Sequence, residues 1–319
     1  MTAAVVVPDQ AFGGVRRERA LAERMGLSFA EHQCRREDET AAAVAGARIA
    51  FVNFAPMTRS VLSALAPGAA VIRYGIGYDN VDVVAAQELG VHVSNVPDYG
   101  VSTVADHTLA LLLALLRRLP AYDRAVRDRG WLAPGDLGAL RDLPDTTIGL
   151  IGSGRIGRAV LERLRPFGCR VLVHDPYVPA DQLSALGARA VELDALLASS
   201  HAVSLHIPLT PATRHVLDDR SMRAMPRGAL VVNTSRGGLV DETALAIALT
   251  EGRLGAAALD VFEHEPLPEN SSLRSLPNLL LTPHAAFFSA ASLDRLQRLA
   301  TEEAERALTG VVLSNEVTR

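Results

Sequence analysis

Short runs of consecutive apolar residues alternate along the chain with stretches whose apolar positions recur at helical spacing. Residues 4–7, 49–52, 69–72 and 91–93 read as strands, with helices over 15–25 and 60–65 between them. A strand covered on both faces loses the polar–apolar alternation of a half-exposed one, so this rhythm predicts parallel βαβ units. The turn residues Asn95-Val96-Pro97-Asp98 break the rhythm and mark a first boundary. The pattern then predicts one long helix over 101–119, apolar on nearly every face and buried between layers. Thr103-x-x-Asp106 is its expected capping box and Pro120 its expected stop. A loop over 131–143, rich in Gly, Pro and Asp, leads to further strands at 148–151, 171–173, 188–191, 202–206, 229–233, 256–259 and 279–281. Strands and crossovers of this number predict an α/β fold with a doubly wound parallel sheet. The amphipathic stretch 289–308 is expected to return to the first unit. The expected division is therefore 1–98 with 288–319, and 99–287.

The stretch 146–176 organises the second unit. After the apolar run 148–151 come Gly152, Gly154 and Gly157 in GxGxxG spacing, then helical spacing through Val160, Leu161 and Leu164. Gly152 allows a tight turn off the strand, Gly154 lets backbone approach a pyrophosphate, and Gly157 lets the helix pack closely on the sheet. The helix N-terminus adds unpaired N–H groups and a positive dipole end. Asp175 ends the next strand 18 residues beyond Gly157, near the roughly 20 expected of the acid that binds a ribose 2′-hydroxyl. Pro176 and Tyr177 follow it, with no adjacent arginine to neutralise a 2′-phosphate. The expected cofactor is NAD rather than NADP.

Composition narrows the chemistry. The chain of 319 residues is 49% hydrophobic, enough for a large core and two domains. All 32 basic residues are arginine, which removes Schiff-base and P-loop lysines. The net charge of −4 argues against nucleic acid as a partner. Cys34 and Cys169 fit neither a disulfide framework nor a metal site, and no metal is expected. The N-terminus lacks the basic region of a signal peptide, and the apolar run 109–116 is too short to span a bilayer. The expectation is a cytoplasmic protein without membrane contact.

Ligands of open α/β sheets sit at the carboxyl ends of strands. Run 229–233 is followed by Thr234-Ser235-Arg236-Gly237-Gly238, run 256–259 by Asp260 and then Glu263-His264-Glu265-Pro266, and run 279–281 by Thr282-Pro283-His284. An arginine, a glutamate and a histidine thus reach the same edge as the glycine loop. That set suits hydride transfer at the alcohol carbon of a 2-hydroxy acid. A histidine exchanges the hydroxyl proton near neutrality. A carboxylate beside it fixes the tautomer. An arginine fork grips the substrate carboxylate. His284, Glu265 and Arg236 fit these roles in turn.

The blocks GSGRIG, NTSRGGLVDE, ALDVFEHEPLP and LTPHAA, in order over residues 74–286, resemble those of the D-isomer-specific 2-hydroxyacid dehydrogenases. The resemblance implies a Rossmann NAD domain and a smaller flavodoxin-like α/β substrate domain. It makes Arg236 the carboxylate anchor, His284 the acid/base, and Glu265, rather than Glu263, its partner. Implied at the cofactor are Gly152, Gly154, Arg155, Ile156, Gly157, Asp175, His206, Ile207, Thr213, Thr234, Ser235 and Asp260. Thr103 stands between a helix cap and a nicotinamide contact, and His206 between a cofactor contact and a packed side chain; His107 and His201 are expected to have no function. The segment 73–82, RYGIGYDNVD, resembles the family's substrate loop, with Arg73 and the backbone N–H groups of Ile76 and Gly77 as substrate contacts. Within the family the chain looks closest to the branch of C-terminal-binding proteins, whose members carry an arginine where Arg73 stands and a tryptophan near the substrate where this chain has Phe287, which the resemblance thus implies as a further substrate contact.

These residues imply interconversion of a D-2-hydroxy acid and its 2-keto acid. The alternatives are an NAD(H)-gated interaction protein like the corepressors, and a phosphoglycerate, phosphite or formate dehydrogenase. Closure of the two domains about hinges near 95–101 and 285–290 is expected. The resemblance also implies a homodimer through the nucleotide domain.

Overall fold

The computed structural model describes residues 4–318. They form two compact units, one running up to Gly100 and again from Phe288, the other being Val101–Phe287.

The smaller unit holds a five-stranded sheet of β1 (Val5–Val7), β2 (Phe29–Glu31), β3 (Ile49–Val52), β4 (Ala70–Arg73) and β5 (His92–Ser94). The order is β2-β1-β3-β4-β5 and every pairing is parallel, which is the flavodoxin-like winding. Val6, Val52 and Val71 are fully buried along its middle strands, and Val93 on the edge strand β5 is fully buried too. The hydropathy pattern missed β2, because Phe-Ala-Glu at a half-exposed edge offers no apolar run. It also missed the helix Glu37–Val44, whose face buries only Thr40 and Val44.

The helix Ala290–Thr309 belongs to this unit, begins at the Ser289 cap and ends at Gly310 in the left-handed region. Buried Glu303 fastens it, accepting from Ser94 Oγ at 2.8 Å and from Ser314 N at 3.0 Å. The chain beyond then runs beside β5, Val317 N donating to Val93 O at 2.8 Å.

The larger unit carries seven parallel strands: β6 (Thr147–Ile151), β7 (Arg170–His174), β8 (Arg189–Ala190), β9 (Ala202–Leu205), β10 (Ala229–Asn233), β11 (Leu254–Leu259) and β12 (Leu279–Leu281). Their order is β12-β11-β10-β9-β6-β7-β8. The chain moves outward from β6 through β7 and β8, then returns to β9 on the other side of β6. The crevice between β6 and β9 is therefore the switch point where an α/β sheet binds its ligand. Leu205, Val231 and Leu259 face one core, and Ile148, Leu150, Val232 and Ala258 the other.

The expected helix 101–119 is two helices. The first is Val101–Leu116, with Arg118 at φ 51°, and the second is Leu119–Arg129. Pro120 starts the second helix, where its missing N–H costs nothing. Thr103 lies inside the first turn of the first helix and is not its cap, while Asp106 pairs with Arg163 at 2.6 Å. The first helix buries one face, Val104, Ala105, Thr108, Leu111, Leu112 and Leu115, and leaves Ser102, Asp106 and Ala110 exposed. Among the described residues no helix is long and apolar enough to cross a membrane, and no cluster of His, Cys, Asp and Glu is arranged to hold a metal.

Candidate active site

The glycine loop leaves β6 with Gly152 at φ 96°, a conformation that L side chains rarely adopt. A Cβ on Gly152 would stand 2.6 Å from the His206 carbonyl oxygen and 2.7 Å from Ile207 Cγ2. His206 and Ile207, which follow β9, therefore lie directly against the turn. A Cβ on Gly157 would meet the Gly152 carbonyl oxygen at 2.4 Å, so the helix Arg155–Leu164 abuts the loop that precedes it. At Gly154, the cap of that helix, a Cβ would meet nothing within 4 Å. The result is an open cradle before the N–H groups of a ten-residue helix, which fits a pyrophosphate. Arg155 is exposed there and Ile156 half-buried.

Asp175, one residue beyond β7, closes the cradle. Its Oδ2 accepts from Ser153 N at 2.8 Å and Ser153 Oγ at 2.7 Å, and its Oδ1 from Tyr177 N at 3.0 Å. Burial raises the carboxyl pKa, but these hydrogen bonds outweigh it and hold the group below its usual range. The site thus keeps a fixed negative charge that suits a ribose diol and repels a 2′-phosphate.

His206 is held neutral. Burial pushes its imidazole pKa down to about 4. Its Nε2 lies 3.0 Å from Ser204 Oγ, and its Nδ1 is buried without a hydrogen-bond partner. Thr213 spends its hydroxyl inside its own turn, donating to Pro208 O at 2.7 Å and accepting from Thr210 N at 2.8 Å. Thr108 Oγ1 donates to Val104 O at 2.8 Å and so accepts from buried Thr234 Oγ1, also at 2.8 Å. Thr103 is half-buried on the same helix.

At the ends of β10, β11 and β12 three segments converge. After β10, Ser235 N donates to Asn233 Oδ1 at 3.0 Å and Asn233 Nδ2 to Arg236 O at 2.8 Å, which fixes the turn carrying half-buried Arg236. A Cβ on the next residue, Gly237, would stand 1.8 Å from the Phe262 carbonyl carbon. Only glycine lets the arginine turn lie against the segment 262–265.

In that segment Glu265 Oε1 accepts from Phe262 N at 2.9 Å, while Oε2 meets His284 Nδ1 at 2.6 Å. Burial raises the Glu265 pKa, but the hydrogen bond and charge of His284, then Phe262 N and Arg236, bring it below the ordinary value. An ionised carboxylate only accepts, so the proton of this pair sits on His284 Nδ1. Glu263 is engaged elsewhere: its N–H donates to Glu242 Oε1 at 2.7 Å and its carboxylate faces Arg214 at 3.5 Å. Of the two glutamates, Glu265 is the one placed on the histidine.

His284 adopts φ 52°, uncommon outside glycine and concentrated at functional sites. Asp260 supports it. The Asp260 carbonyl accepts from His284 N at 2.8 Å, its Oδ1 from Ala285 N and its Oδ2 from Ala286 N, each at 2.8 Å. Thr282 Oγ1 also donates to Oδ1 at 2.5 Å. Asp260 is fully buried and acts on the site through this turn, a role its place after β11 did not reveal. The Phe287 ring stands edge-on to the His284 ring with centroids 6.2 Å apart.

On the smaller unit, Arg73 ends β4. Its Nη1 donates to Tyr74 O and its guanidinium lies 5.9 Å over the Phe54 ring. Gly75 is at φ 127°, and a Cβ there would collide with Arg73 Nη1 at 2.0 Å. The carbonyls of Gly75 and Ile76 are tied down by Val96 N at 3.0 Å and Asn95 Nδ2 at 2.7 Å, which fixes the loop through Gly77.

Residues 109–286 match the model of the D-isomer specific 2-hydroxyacid dehydrogenase, NAD binding domain. The chain is 41% identical over 251 residues to a glyoxylate reductase of Korarchaeum cryptofilum, covering 77% of this chain and 75% of that protein. It is 38% identical over 281 residues to D-3-phosphoglycerate dehydrogenase of Mycobacterium tuberculosis, covering 88% of this chain but only 53% of that longer protein. Its fold matches D-lactate dehydrogenase of Aquifex aeolicus, solved with NAD and lactic acid, at a TM-score of 0.89 and 26% identity over 99% of both chains. These relatives are enzymes, so the interaction-protein reading is not favoured, and nothing in them singles out the corepressor branch. A cradle that fits a dinucleotide, a histidine–glutamate pair at the same carboxyl edge of the sheet and a family model over more than half of the sequence agree: the chain belongs to the D-isomer-specific 2-hydroxyacid dehydrogenase family and is an NAD-dependent oxidoreductase of it.

Proposed function

We propose that the enzyme reduces a small 2-keto acid to its D-2-hydroxy acid, with His284 as proton donor, Glu265 as its partner and Arg236 as carboxylate anchor. The observation that carries this reading is the 2.6 Å contact between His284 Nδ1 and Glu265 Oε2. With Nδ1 committed to Glu265, proton exchange with the substrate oxygen falls to Nε2. Glu265 stabilises the imidazolium that exists before the proton leaves. The Arg236 fork orients the acid by its carboxylate. The cofactor, bound in its reduced form NADH, would supply the hydride and leave as NAD+. On the smaller unit, Arg73 and the N–H groups of Ile76 and Gly77 are the proposed substrate contacts.

The test is NADH oxidation over glyoxylate, pyruvate, hydroxypyruvate and 3-phosphohydroxypyruvate. Turnover with one or more of the unphosphorylated acids supports the reading. Turnover restricted to the phosphorylated acid supports the phosphoglycerate alternative, which the 38% identity to that enzyme keeps in view. A blank panel contradicts both.

The proposal extends to a cytoplasmic homodimer. Two free cysteines suit a reducing compartment. The larger unit exposes Leu119 (56%), Val126 (44%) and Trp131 (93%) along and just after one helix, an apolar strip suited to a second copy. Light scattering at the monomer mass would remove the dimer.

A further inference from the structure

His107 projects from the helix Val101–Leu116 and has no part in the chemistry above. Its Nε2 lies 3.2 Å from Thr282 Oγ1 and 3.7 Å from Asp260 Oδ1. Thr282 Oγ1 already donates its one proton to Asp260 at 2.5 Å. The hydroxyl therefore faces His107 with a lone pair, and His107 Nε2 must be the donor. A chain of donors runs from His107 to Thr282 to the Asp260 carboxylate. That carboxylate also receives the N–H groups of Ala285 and Ala286, the two residues after His284. A second histidine, 177 positions before the first (284 − 107), is thus wired to the turn that holds His284 at positive φ.

We propose that His107 is a positioning residue for the reaction: its Nε2–H fixes the Thr282 hydroxyl on Asp260, and through Asp260 it sets the backbone of the catalytic turn. The inference rests on His284 being the proton donor. It assigns His107 no contact with substrate or cofactor, because its partners are Thr282 and Asp260. Losing the donor leaves the Thr282 hydroxyl free to swing from Asp260 Oδ1, and loosens an imidazole that must meet the substrate oxygen within a fraction of an ångström. The glycine loop and Arg236 have no link in this chain, so affinity for NADH and for the keto acid should persist.

The experiment compares His107→Leu, which removes the donor, with His107→Gln, whose Nε2 can donate to Thr282, and with Thr282→Val. Steady-state kcat and KM are measured with the best keto acid of the panel, together with NADH affinity by fluorescence and the melting temperature. His107→Leu should lower kcat ~10- to 10²-fold, the usual consequence of misplacing a reacting group by about 1 Å, with KM and NADH affinity within about threefold, a split expected of a purely positional loss. His107→Gln should recover most of the rate. The double variant His107→Leu/Thr282→Val should be no slower than Thr282→Val, since both cut one chain. Unchanged kcat in His107→Leu overturns the inference. So does a His107→Gln enzyme as slow as His107→Leu at a wild-type melting temperature, since packing rather than donation would then be at stake. If His107→Leu melts below the assay temperature, the comparison is made at 10 °C between His107→Gln and Thr282→Val. A near-wild-type Gln enzyme and a slow Val enzyme then support the inference, and equal rates overturn it. A fully active His284→Ala enzyme would instead remove the reading on which it stands.

Discussion

Replacing Asp260 by asparagine should disable the catalytic turn while leaving the cofactor cradle intact. The carboxylate is fully buried and accepts from Thr282 Oγ1, Ala285 N and Ala286 N at 2.5, 2.8 and 2.8 Å. Asparagine has one acceptor oxygen, so at least one of these donors would face an amide N–H₂ group. Hydrogen bonds to a charged group are worth about 1.5–3 kcal/mol each, and an orphaned buried donor costs about 1–3 kcal/mol. One lost bond plus one orphan therefore predicts a loss of about 2.5–6 kcal/mol. In a unit of this size about 1 kcal/mol shifts the melting temperature by about 2–4 °C, so the variant should melt roughly 5–24 °C lower. His284 loses the anchors that hold φ 52°, and kcat should fall ~10²-fold or more, as it does when a reacting group is displaced by about 1 Å. NADH affinity should stay within about threefold, because neither Gly154 nor Asp175 touches this turn. The assay pairs a thermal melt with NADH titration and steady-state kinetics. An Asp260→Asn enzyme with wild-type melting temperature and kcat would refute the reasoning.

Three further outcomes follow. Gly154→Ala places a methyl group in open space at a backbone angle alanine accepts (φ −66°), so the fold should lose less than about 1 kcal/mol while NADH affinity drops at least tenfold; isothermal titration at wild-type affinity would remove the cradle from the pyrophosphate. Asp175→Ala removes the fixed charge and should raise the NADPH/NADH ratio of kcat/KM; an unchanged ratio would contradict its role in discrimination. His206 has a depressed folded pKa, so between about pH 6.5 and 4 the unfolded chain binds a proton that the native one does not, and stability falls as pH falls through that window. The depression from 6.5 to about 4 corresponds to at most about 3.4 kcal/mol. Urea midpoints at pH 7 and pH 4.5 should drop more for wild type than for His206→Asn, and equal drops would count against a neutral, buried imidazole.

Much of this was legible in the sequence because buried parallel strands are apolar on both faces. β6, β10 and β11 announced themselves, and so did the residues at their carboxyl ends, Arg236, Glu265 and, after β12, His284. The edge strand Phe29–Glu31 did not, since one short, half-exposed strand has no apolar period. The break at Arg118 was hidden because leucines continue on both sides of it, and Pro120 reads equally as a stop or as the first turn of a new helix. At the site, a strand-end aspartate looks like a ligand whether it faces outward or supports a loop, and the inward turn of Asp260 depends on the backbone of residues 284–286, which no sequence pattern marks. The pairing of His107 with Thr282 spans 175 positions and leaves no local trace; only the packing of the helix Val101–Leu116 against the sheet brings them together.

The most direct test of the account is a single-turnover measurement of His284→Ala against wild type, with NADH and the preferred keto acid, alongside NADH affinity. NADH binding should be unchanged and hydride transfer slower by ~10²–10⁴-fold, the usual worth of general acid–base catalysis. A variant that oxidises NADH at the wild-type rate would contradict it.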